Sequence, residues 1–198
     1  MTDQSKEEIK LSHLIVSFSF LGVIALICIF IWQKSNSFEY VLDVFDVSKI
    51  VMNSAIGGGL GVALALVAIP LVKVTGTKIP EAKDNEELKK IMMRKHGALI
   101  VGILPGIFEE VLFRGFVLPF IQHFTNAIWA IILTTIVFWA IHLPQYKTNL
   151  VLNLNVILLS LVTSILFTQT ETIWASIFVH MVYNYIVTIA TQKKIIKV

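Results

Sequence analysis

The sequence predicts an all-α membrane protein, a polytopic bundle of about six helices that cross the bilayer. Hydrophobic residues make up 56% of the chain and charged residues only 15%, and the mean hydropathy is +0.80. A soluble domain ordinarily carries about 25% charged residues. The apolar residues also fall into separate runs, each close to the roughly 20 residues that cross a hydrocarbon core as a helix. A helix pairs its own backbone groups, which lipid cannot do.

The first two apolar runs form the amino-terminal part of the chain. A short polar tail over 1–13 precedes the uncharged run 14–33, which is too long and too thinly basic at its front for a cleaved signal. An acidic loop follows, and the second span is predicted over 49–73. Its glycine cluster at 57–61 allows close helix approach, within one chain or between two. No Lys-Ser/Thr follows the cluster, as a nucleotide-binding loop would require.

The segment 74–96 is the most basic loop. Pro80 and Asp84 are typical start signals for a short helix, and Glu86 and Glu87 would lie in its first turn, as the helix dipole prefers. The pattern favours a helix on the membrane surface, although a solvated helical linker fits equally well. The apolar stripe of this helix would consist of Leu88, Ile91 and Met92.

Four further apolar runs predict the remaining spans. They cover 97–122, 127–142, 150–168 and 172–191, and the second of them ends before Pro144. The loops between them are short. An even number of spans places both termini on one side of the membrane.

The charges predict the orientation of these spans. Basic residues lie mainly in loops and tails, so the net charge of +3 reports orientation and does not indicate a nucleic-acid partner. The positive-inside rule places both termini, the loop over 74–96 and the loop at Lys147 in the cytoplasm. The small size and the lack of an organelle signal favour a bacterial plasma membrane, with one membrane domain over 1–198. The only cysteine, Cys28, lies in the first span and excludes an intrachain disulfide.

Charged residues inside the third run indicate function. Each ionisable group in a membrane helix costs about 2.5–3.5 kcal/mol on insertion scales. Glu110 and Arg114 are four residues apart, so they share a helix face and can pair, whereas Glu109 points about 100° away. A helix end with both glutamates in water is the structural alternative. Pairing accounts for Glu110 and Arg114 and leaves the Glu109 carboxylate free for chemistry.

Two later runs carry further polar groups. His142 ends the fourth run, and His180 lies near the centre of the last run with Asn184 one turn later on the same face. Singly, each fits an interfacial residue or a polar contact between helices. Together with Glu109, they can activate water and stabilise an oxyanion. Two histidines and a glutamate can equally bind zinc. No serine or cysteine occupies a comparable position, so activated water is favoured over a covalent nucleophile.

The three patterns resemble a known family when they are taken together. Glu-Glu-x-x-x-Arg, Phe-x-x-x-His and His-x-x-x-Asn, in this order and on separate hydrophobic helices, resemble the CAAX-protease and bacteriocin-processing family, also called the Abi family. Phe-Arg-Gly after the glutamates and Trp-Ala-Ser-Ile before His180 are similar to that family as well. The resemblance marks 97–191 as a catalytic core, to which 1–96 adds two spans and the basic loop.

The resemblance implies a polytopic intramembrane endopeptidase. In the family, the first glutamate and the histidine of the second motif activate water, and the later histidine and asparagine support the oxyanion. The second glutamate and the arginine orient and hold the site. The residues that the resemblance marks as catalytic are Glu109, Glu110, Arg114, His142, His180 and Asn184.

Cofactor and substrate stay open at this level. If a divalent metal such as zinc is used, Glu109, His142 and His180 are its candidate ligands, but Asn184 is a poor zinc ligand and favours metal-free chemistry. The resemblance implies a peptide or lipidated protein as substrate, in contact with the lipid bilayer. Eukaryotic members trim prenylated CAAX proteins, and bacterial members are linked to peptide processing and bacteriocin immunity. A non-catalytic immunity or scaffolding protein of the same fold, or a small transporter, is the alternative, and the oligomeric state is open.

The proposed chemistry makes a geometric demand. Regular helices place Glu109 about 20 Å past Lys95 at 1.5 Å per residue, whereas His142 lies only five residues before Lys147. A tilted third span or a longer fourth helix would bring Glu109 and His142 together, around a water-filled cavity open to the cytoplasm. A closest approach of more than about 8 Å would contradict a shared water.

Overall fold

The computed structural model describes residues 4–78, 89–147 and 149–196, and every regular element in these ranges is helical. The predicted all-α bundle is therefore confirmed. The helices are α1 (Gln4–Gln33), α2 (Ser37–Val44), α3 (Ile50–Thr75), α4 (Gly97–Leu112), a π-helical segment (Phe113–Val117), α5 (Leu118–Phe124), α6 (Ala127–Tyr146), α7 (Leu150–Thr170) and α8 (Trp174–Gln192).

Four stretches of the described chain are long and apolar enough to cross a membrane. They are Leu14–Thr75, which contains most of α1 and all of α3, and the helices α6, α7 and α8. The predicted third span is instead divided into α4, the π-helical segment and α5, and α4 has only 16 residues. The predicted count of about six spans is therefore approximate.

The outer faces of the helices are apolar. Large hydrophobic side chains stay exposed on several of them, including Ile31 at 71%, Val51 at 81% and Ile128 at 69%. A soluble protein rarely exposes extended apolar patches of this kind. Together with the long apolar helices, this surface identifies a multi-pass membrane protein.

The acidic region between α1 and α3 differs from the predicted loop. Residues 37–44 form α2, because Tyr40, Val44 and Phe45 recur at helical spacing and pack against the main core. Asp46 then caps the short turn before α3 by accepting a hydrogen bond from the Ser48 backbone N–H. In the basic loop, residues 89–92 are helical. The predicted helix start at Pro80 and Asp84 lies outside the described residues.

The predicted end of the fourth span before Pro144 is wrong. Helix α6 continues through Pro144 to Tyr146. A proline inside a helix removes a single N–H donor, and membrane helices tolerate this loss because neighbouring groups satisfy the freed carbonyl. The backbone N–H of Lys147 bonds the Leu143 carbonyl and closes the last turn. His142 therefore lies one turn inside the helix.

Helix α3 packs closely on α8 through two glycines. A Cβ atom at Gly57 would overlap the carbonyl oxygen of Ala175, and one at Gly61 would lie 2.7 Å from the carbonyl oxygen of Val179. Close backbone approach of this kind is typical of small residues in membrane helices. These two glycines therefore serve packing within the chain, whereas Gly59 has no atom within 4 Å of its Cβ position.

Helix α4 approaches α8 in the same way from another side. A Cβ atom at Gly106 would overlap the Met181 side chain, and one at Gly102 would lie 3.0 Å from the Met181 carbonyl oxygen. Helix α8 is therefore held between α3 and α4. This places the residue before Met181, His180, beside the glutamates of α4.

Hydrogen bonds hold the helix ends and loops together at both ends of the bundle. At one end, the Gln192 amide donates to the carbonyls of Met92 and Arg94, and the Asn149 amide donates to the carbonyl of Lys78. We call this the basic end, because Lys73, Lys78, Lys95, Lys147 and Lys193 lie in the elements that meet there. At the opposite end, the backbone N–H of Ile173 donates to the Val44 carbonyl.

Candidate active site

The second glutamate of α4 is paired with an arginine inside the bundle. Glu110 and Arg114 are both fully buried, and Arg114 Nη1 lies 3.1 Å from Glu110 Oε1. The predicted pairing is therefore present, although Arg114 belongs to the π-helical segment. Because a buried charge without a partner is strongly unfavourable, each residue stabilises the other in this position.

Helix α7 completes the surroundings of Arg114. The Nη2 atom donates to the Ser160 carbonyl at 2.9 Å, to Ser160 Oγ at 2.8 Å and to Ser164 Oγ at 3.4 Å. The guanidinium carbon also lies 5.0 Å from the ring centroid of Phe138 on α6. The sequence interpretation did not include Ser160 and Ser164. Their spacing of four residues on one helix face was the available signal.

Glu110 also orients His180. His180 Nδ1 lies 2.7 Å from Glu110 Oε1, and both side chains are almost completely buried. A carboxylate can only accept a hydrogen bond here, so Nδ1 carries the ring proton and donates the hydrogen bond. The same oxygen of Glu110 thus receives hydrogen bonds from Arg114 and from His180. The other ring nitrogen of His180, Nε2, is left for the cavity that His180 lines.

Glu109 faces His142 across the site. The distance from Glu109 Oε2 to His142 Nε2 is 3.9 Å, well inside the limit of about 8 Å that the shared-water chemistry demands. The two side chains are 12% and 17% exposed. The longer fourth helix, one of the two expected solutions, is present, since α6 extends one turn past His142.

The His142 ring is held in one orientation by its own helix. Its Nδ1 lies 2.7 Å from the Phe138 carbonyl oxygen, which can only accept, so Nδ1 is the donor. In the neutral ring, Nε2 is then an acceptor and faces a carboxylate oxygen, which is also an acceptor. Within the described part of the chain, Glu109 Oε2 is buried and has no hydrogen-bond partner. This pair of facing acceptors suits a molecule with two O–H donors.

A cavity of about 210 Å³ connects this pair to the basic end. Glu109, His142, His180 and Asn184 line it on one side. Toward the basic end it is bordered by Thr77, Met92, Gln145, Thr191 and Ile196. The positive-inside rule predicts that this end lies in the cytoplasm, and the opening of the cavity to that side stays a prediction.

Asn184 lies in the cavity wall, away from the central pair. Its Nδ2 atom donates a long hydrogen bond of 3.4 Å to the Val101 carbonyl of α4. Asn155 of α7 lines the same cavity. Asn153, by contrast, accepts a hydrogen bond from the Trp139 indole at 2.9 Å and joins α7 to α6.

Two aromatic rings border His142. Its ring centroid lies 4.6 Å from that of Phe138 and 6.2 Å from that of Tyr146, and the Tyr146 ring is nearly parallel to it at 6°. Tyr146 is one turn after His142, a spacing that the sequence contained. The sequence interpretation missed it because the helix was expected to end before Pro144.

The π-helical segment after the glutamates is anchored by a hydrogen bond from α2. The Tyr40 hydroxyl of α2 donates to the Gly115 carbonyl at 2.7 Å. Short π-helical segments are frequent at functional sites, where they change the direction of side chains. Here the segment contains Arg114, so a residue of the amino-terminal part helps to hold the helix that carries the site.

The candidate metal ligands are only partly gathered in this geometry. Across residues 4–78, 89–147 and 149–196, no three His, Cys, Asp or Glu side chains are grouped to hold a metal ion. Glu109 and His142 face each other, but the Nδ1 atom of His180 is bound to Glu110. Because a metal-bound histidine commonly donates its other ring N–H to a carboxylate, the contact with Glu110 leaves His180 Nε2 able to bind a metal, and the use of a metal stays a prediction.

Comparison with known proteins places the site in a family context. Residues 96–186 match a family model described as type II CAAX prenyl endopeptidase Rce1-like. The matched range contains all three motifs, from Glu109 to Asn184. The comparisons with curated proteins and with solved structures gave no match.

Proposed function

We propose that this protein is an intramembrane endopeptidase whose water nucleophile is activated by Glu109 and His142, because residues 96–186 match a family model described as type II CAAX prenyl endopeptidase Rce1-like. The observation that carries the proposal is the separation of 3.9 Å between Glu109 Oε2 and His142 Nε2. A water molecule about 2.8 Å from both atoms would donate one hydrogen bond to each. Its oxygen would then present a lone pair to a carbonyl carbon.

Proton transfer follows from the same arrangement. As the water attacks, its proton passes to Glu109, and a positioned base of this kind contributes about 10²–10⁴-fold in rate. The bond from His142 Nδ1 to the Phe138 carbonyl keeps Nε2 directed at the water. When the peptide C–N bond breaks, Glu109 returns the proton to the leaving amine.

The buried network behind this pair would hold the site in shape. One carboxylate oxygen of Glu110 accepts hydrogen bonds from Arg114 and from His180. Arg114 also donates a hydrogen bond to the Ser160 carbonyl of α7. Donors and charges that are already in position cost little reorganisation during reaction. In this proposal Glu110 and Arg114 orient the site, and His180 and Asn184 support the developing oxyanion.

The substrate of the proposed reaction is a peptide segment that reaches the cavity from the basic end or from the bilayer. The family description names prenylated CAAX proteins, so a lipidated peptide is one candidate. An unmodified peptide, including a bacteriocin precursor, is the other. The cavity of about 210 Å³ admits only part of a peptide at a time.

The proposal is tested by cleavage of a fluorogenic peptide panel, with and without a prenyl group, by detergent-purified protein. We expect Glu109→Ala, His142→Ala and His180→Ala each to lower kcat/KM at least about 10²-fold. Glu39→Ala, an exposed glutamate of α2, is the matched control and should retain full activity. A chelator arm separates metal-dependent from metal-free hydrolysis.

Each outcome of this test discriminates. Loss of cleavage in the three variants with activity in the control supports the hydrolase and its site. Cleavage that survives all three substitutions contradicts the proposed residues. A physiological phenotype that persists in Glu109→Ala, with no cleavage by the wild type, favours the non-catalytic immunity or scaffolding alternative.

A further inference from the structure

The proposed reaction needs a hydrogen-bond donor for the scissile carbonyl oxygen. Negative charge builds on that oxygen during attack, and donors aimed at it are a large part of catalysis in such sites. The two groups proposed for this task supply one free N–H between them when His180 is neutral. His180 donates Nδ1–H to Glu110, whereas Asn184 uses one amide N–H for a long hydrogen bond of 3.4 Å to the Val101 carbonyl and keeps the other.

Two phenol hydroxyls in the cavity wall are available as further donors. Tyr146 of α6 and Tyr183 of α8 both line the cavity with Glu109 and His142. No hydrogen bond of either hydroxyl occurs among the residues that the structure describes. A phenol donates without taking up an additional proton, and it is a stronger acid than an amide, so it suits an oxyanion.

Of these two, Tyr146 is the one positioned beside the water-activating pair. Its ring lies parallel to the His142 imidazole, at 6° and 6.2 Å between centroids. Both residues belong to the same face of α6, one turn apart, so helix geometry holds their rings in register. The described part of the chain shows no such ring contact between Tyr183 and His142.

The fold has a specific feature that delivers Tyr146 to this place. Helix α6 continues through Pro144 and ends at Tyr146, and the backbone of Lys147 closes the turn. The Asn153 amide of α7 in turn donates to the Lys147 carbonyl at 3.0 Å. The last turn of α6, which carries no other group of the proposed site, is therefore braced from α7.

We propose that the Tyr146 hydroxyl donates a hydrogen bond to the scissile carbonyl oxygen as the water attacks. This inference rests on the proposed function. The water oxygen bonds to the carbonyl carbon, its proton passes to Glu109, and the carbonyl π electrons move onto the oxygen. Tyr146 keeps its own proton throughout and only donates the hydrogen bond. The electron pair on the oxygen then re-forms the C=O bond as the C–N bond breaks, and Glu109 gives its proton to the leaving amine.

The test compares phenol deletions on the full-length protein with the peptide that the wild type cleaves best. Tyr146→Phe keeps the ring and its stack on His142 but removes the hydroxyl. We expect kcat to fall about 10²-fold, as for loss of one oxyanion donor, with KM within about twofold. Tyr185→Phe is the control, because Tyr185 lies outside the cavity wall and is 40% exposed on the outer face of α8.

Further variants separate the hydroxyl from the ring and from the second phenol. Tyr146→Leu removes both hydroxyl and stack and should lose activity at least as far as Tyr146→Phe. An unchanged thermal midpoint for Tyr146→Phe excludes misfolding as the cause. A loss confined to KM would indicate substrate binding and overturn the inference, as would a loss in Tyr183→Phe with none in Tyr146→Phe.

The results distinguish a failure of the Tyr146 inference from a failure of the proposed function. If the wild type cleaves and Glu109→Ala does not, but Tyr146→Phe matches the wild type, the proposed function stands and this inference is wrong. If the wild type cleaves no peptide, the proposed function falls, and this inference falls with it.

Discussion

A single carboxylate oxygen organises the buried half of the site. Glu110 Oε1 receives Arg114 at 3.1 Å and His180 at 2.7 Å, so it links α4, the π-helical segment and α8. The neighbouring Glu109 is left to face His142. Two adjacent glutamates thus take different tasks because the helix turns their side chains into different surroundings. One is enclosed among donors, and the other lies at the cavity.

The Glu110 interaction is expected to dominate local stability. Glu110→Gln removes the negative charge and leaves the buried Arg114 guanidinium without compensation, which ordinarily costs about 3–5 kcal/mol. We expect a clearly lower thermal midpoint in detergent. Glu39→Gln, an exposed position in α2, should leave the midpoint unchanged.

The double variant Glu110→Gln/Arg114→Met sharpens this prediction. It removes both charges at once, so most of the lost stability should return although activity should not. A double variant that is as unstable as Glu110→Gln alone would show that side-chain packing, and not charge, determines stability in this region.

Charged groups at the site were easier to predict from sequence than the hydroxyl groups that contact them. Glu109, Glu110 and Arg114 are conspicuous because charges are rare in apolar helices. Ser160 occurs in a run where hydroxyls commonly bond their own helix, so its spacing of four residues from Ser164 was only a weak signal of the contact with Arg114. The Tyr40 contact with the π-helical segment joins distant parts of the chain, and no local pattern reports it.

At the scale of elements, glycines decide which helices touch. Gly57 and Gly61 bring α3 against the backbone of α8, and Gly102 and Gly106 bring α4 against Met181. In lipid, helices gain little from hydrophobic burial against each other, so close packing of this kind supplies much of their association. The site therefore depends on small residues that lie outside it.

A comparison of two glycines in α3 tests this view. Gly57→Ala places a Cβ atom on the Ala175 carbonyl, and we expect a loss of about 1–3 kcal/mol from overpacking. Gly59→Ala meets open space and should be neutral or slightly stabilising, because alanine is favoured over glycine in helices by up to about 1 kcal/mol. Unfolding by titration with a denaturing detergent measures both. Equal effects at the two positions would contradict the assigned packing.

Helix existence was easier to predict than helix limits. The apolar runs located every long helix, because hydropathy alone separates spans from loops. Pro144 was taken as a stop, yet α6 passes through it, since a membrane helix accommodates the missing N–H. The break after Leu112 into a π-helical segment was not predicted either, because residues 113–117 keep the apolar character of their neighbours.

For the whole molecule, the loops define two chemically different ends. The basic end holds the mouth of the cavity. There Gln192 joins α8 to the loop before α4 by donating to the carbonyls of Met92 and Arg94. The opposite end holds Glu39 and Asp46. Hydrogen bonds from the Ser48 hydroxyl and backbone N–H lower the pKa of Asp46, so its carboxylate stays charged there. This asymmetry predicts the orientation in the membrane.

Cysteine labelling measures that orientation. In a Cys28→Ala background, Lys193→Cys and Glu39→Cys place one thiol at each end, both on exposed positions. A membrane-impermeant maleimide added to intact cells should label Glu39→Cys and spare Lys193→Cys, because basic loops stay in the cytoplasm. Inverted vesicles should show the reverse. Labelling of Lys193→Cys in intact cells would place the cavity mouth on the outer side.

The position of His180 on α8 has a consequence for biosynthesis. Helix α8 emerges from the ribosome after α3 and α4, and it must enter the groove that these two helices offer through their glycines. Until it does, Glu110 and Arg114 lack one of their partners, and the wall of the cavity is incomplete. A chain that has been synthesised only as far as α7 would therefore lack the proposed peptidase site. The order of synthesis itself would delay the proposed proteolysis until α8 has been inserted.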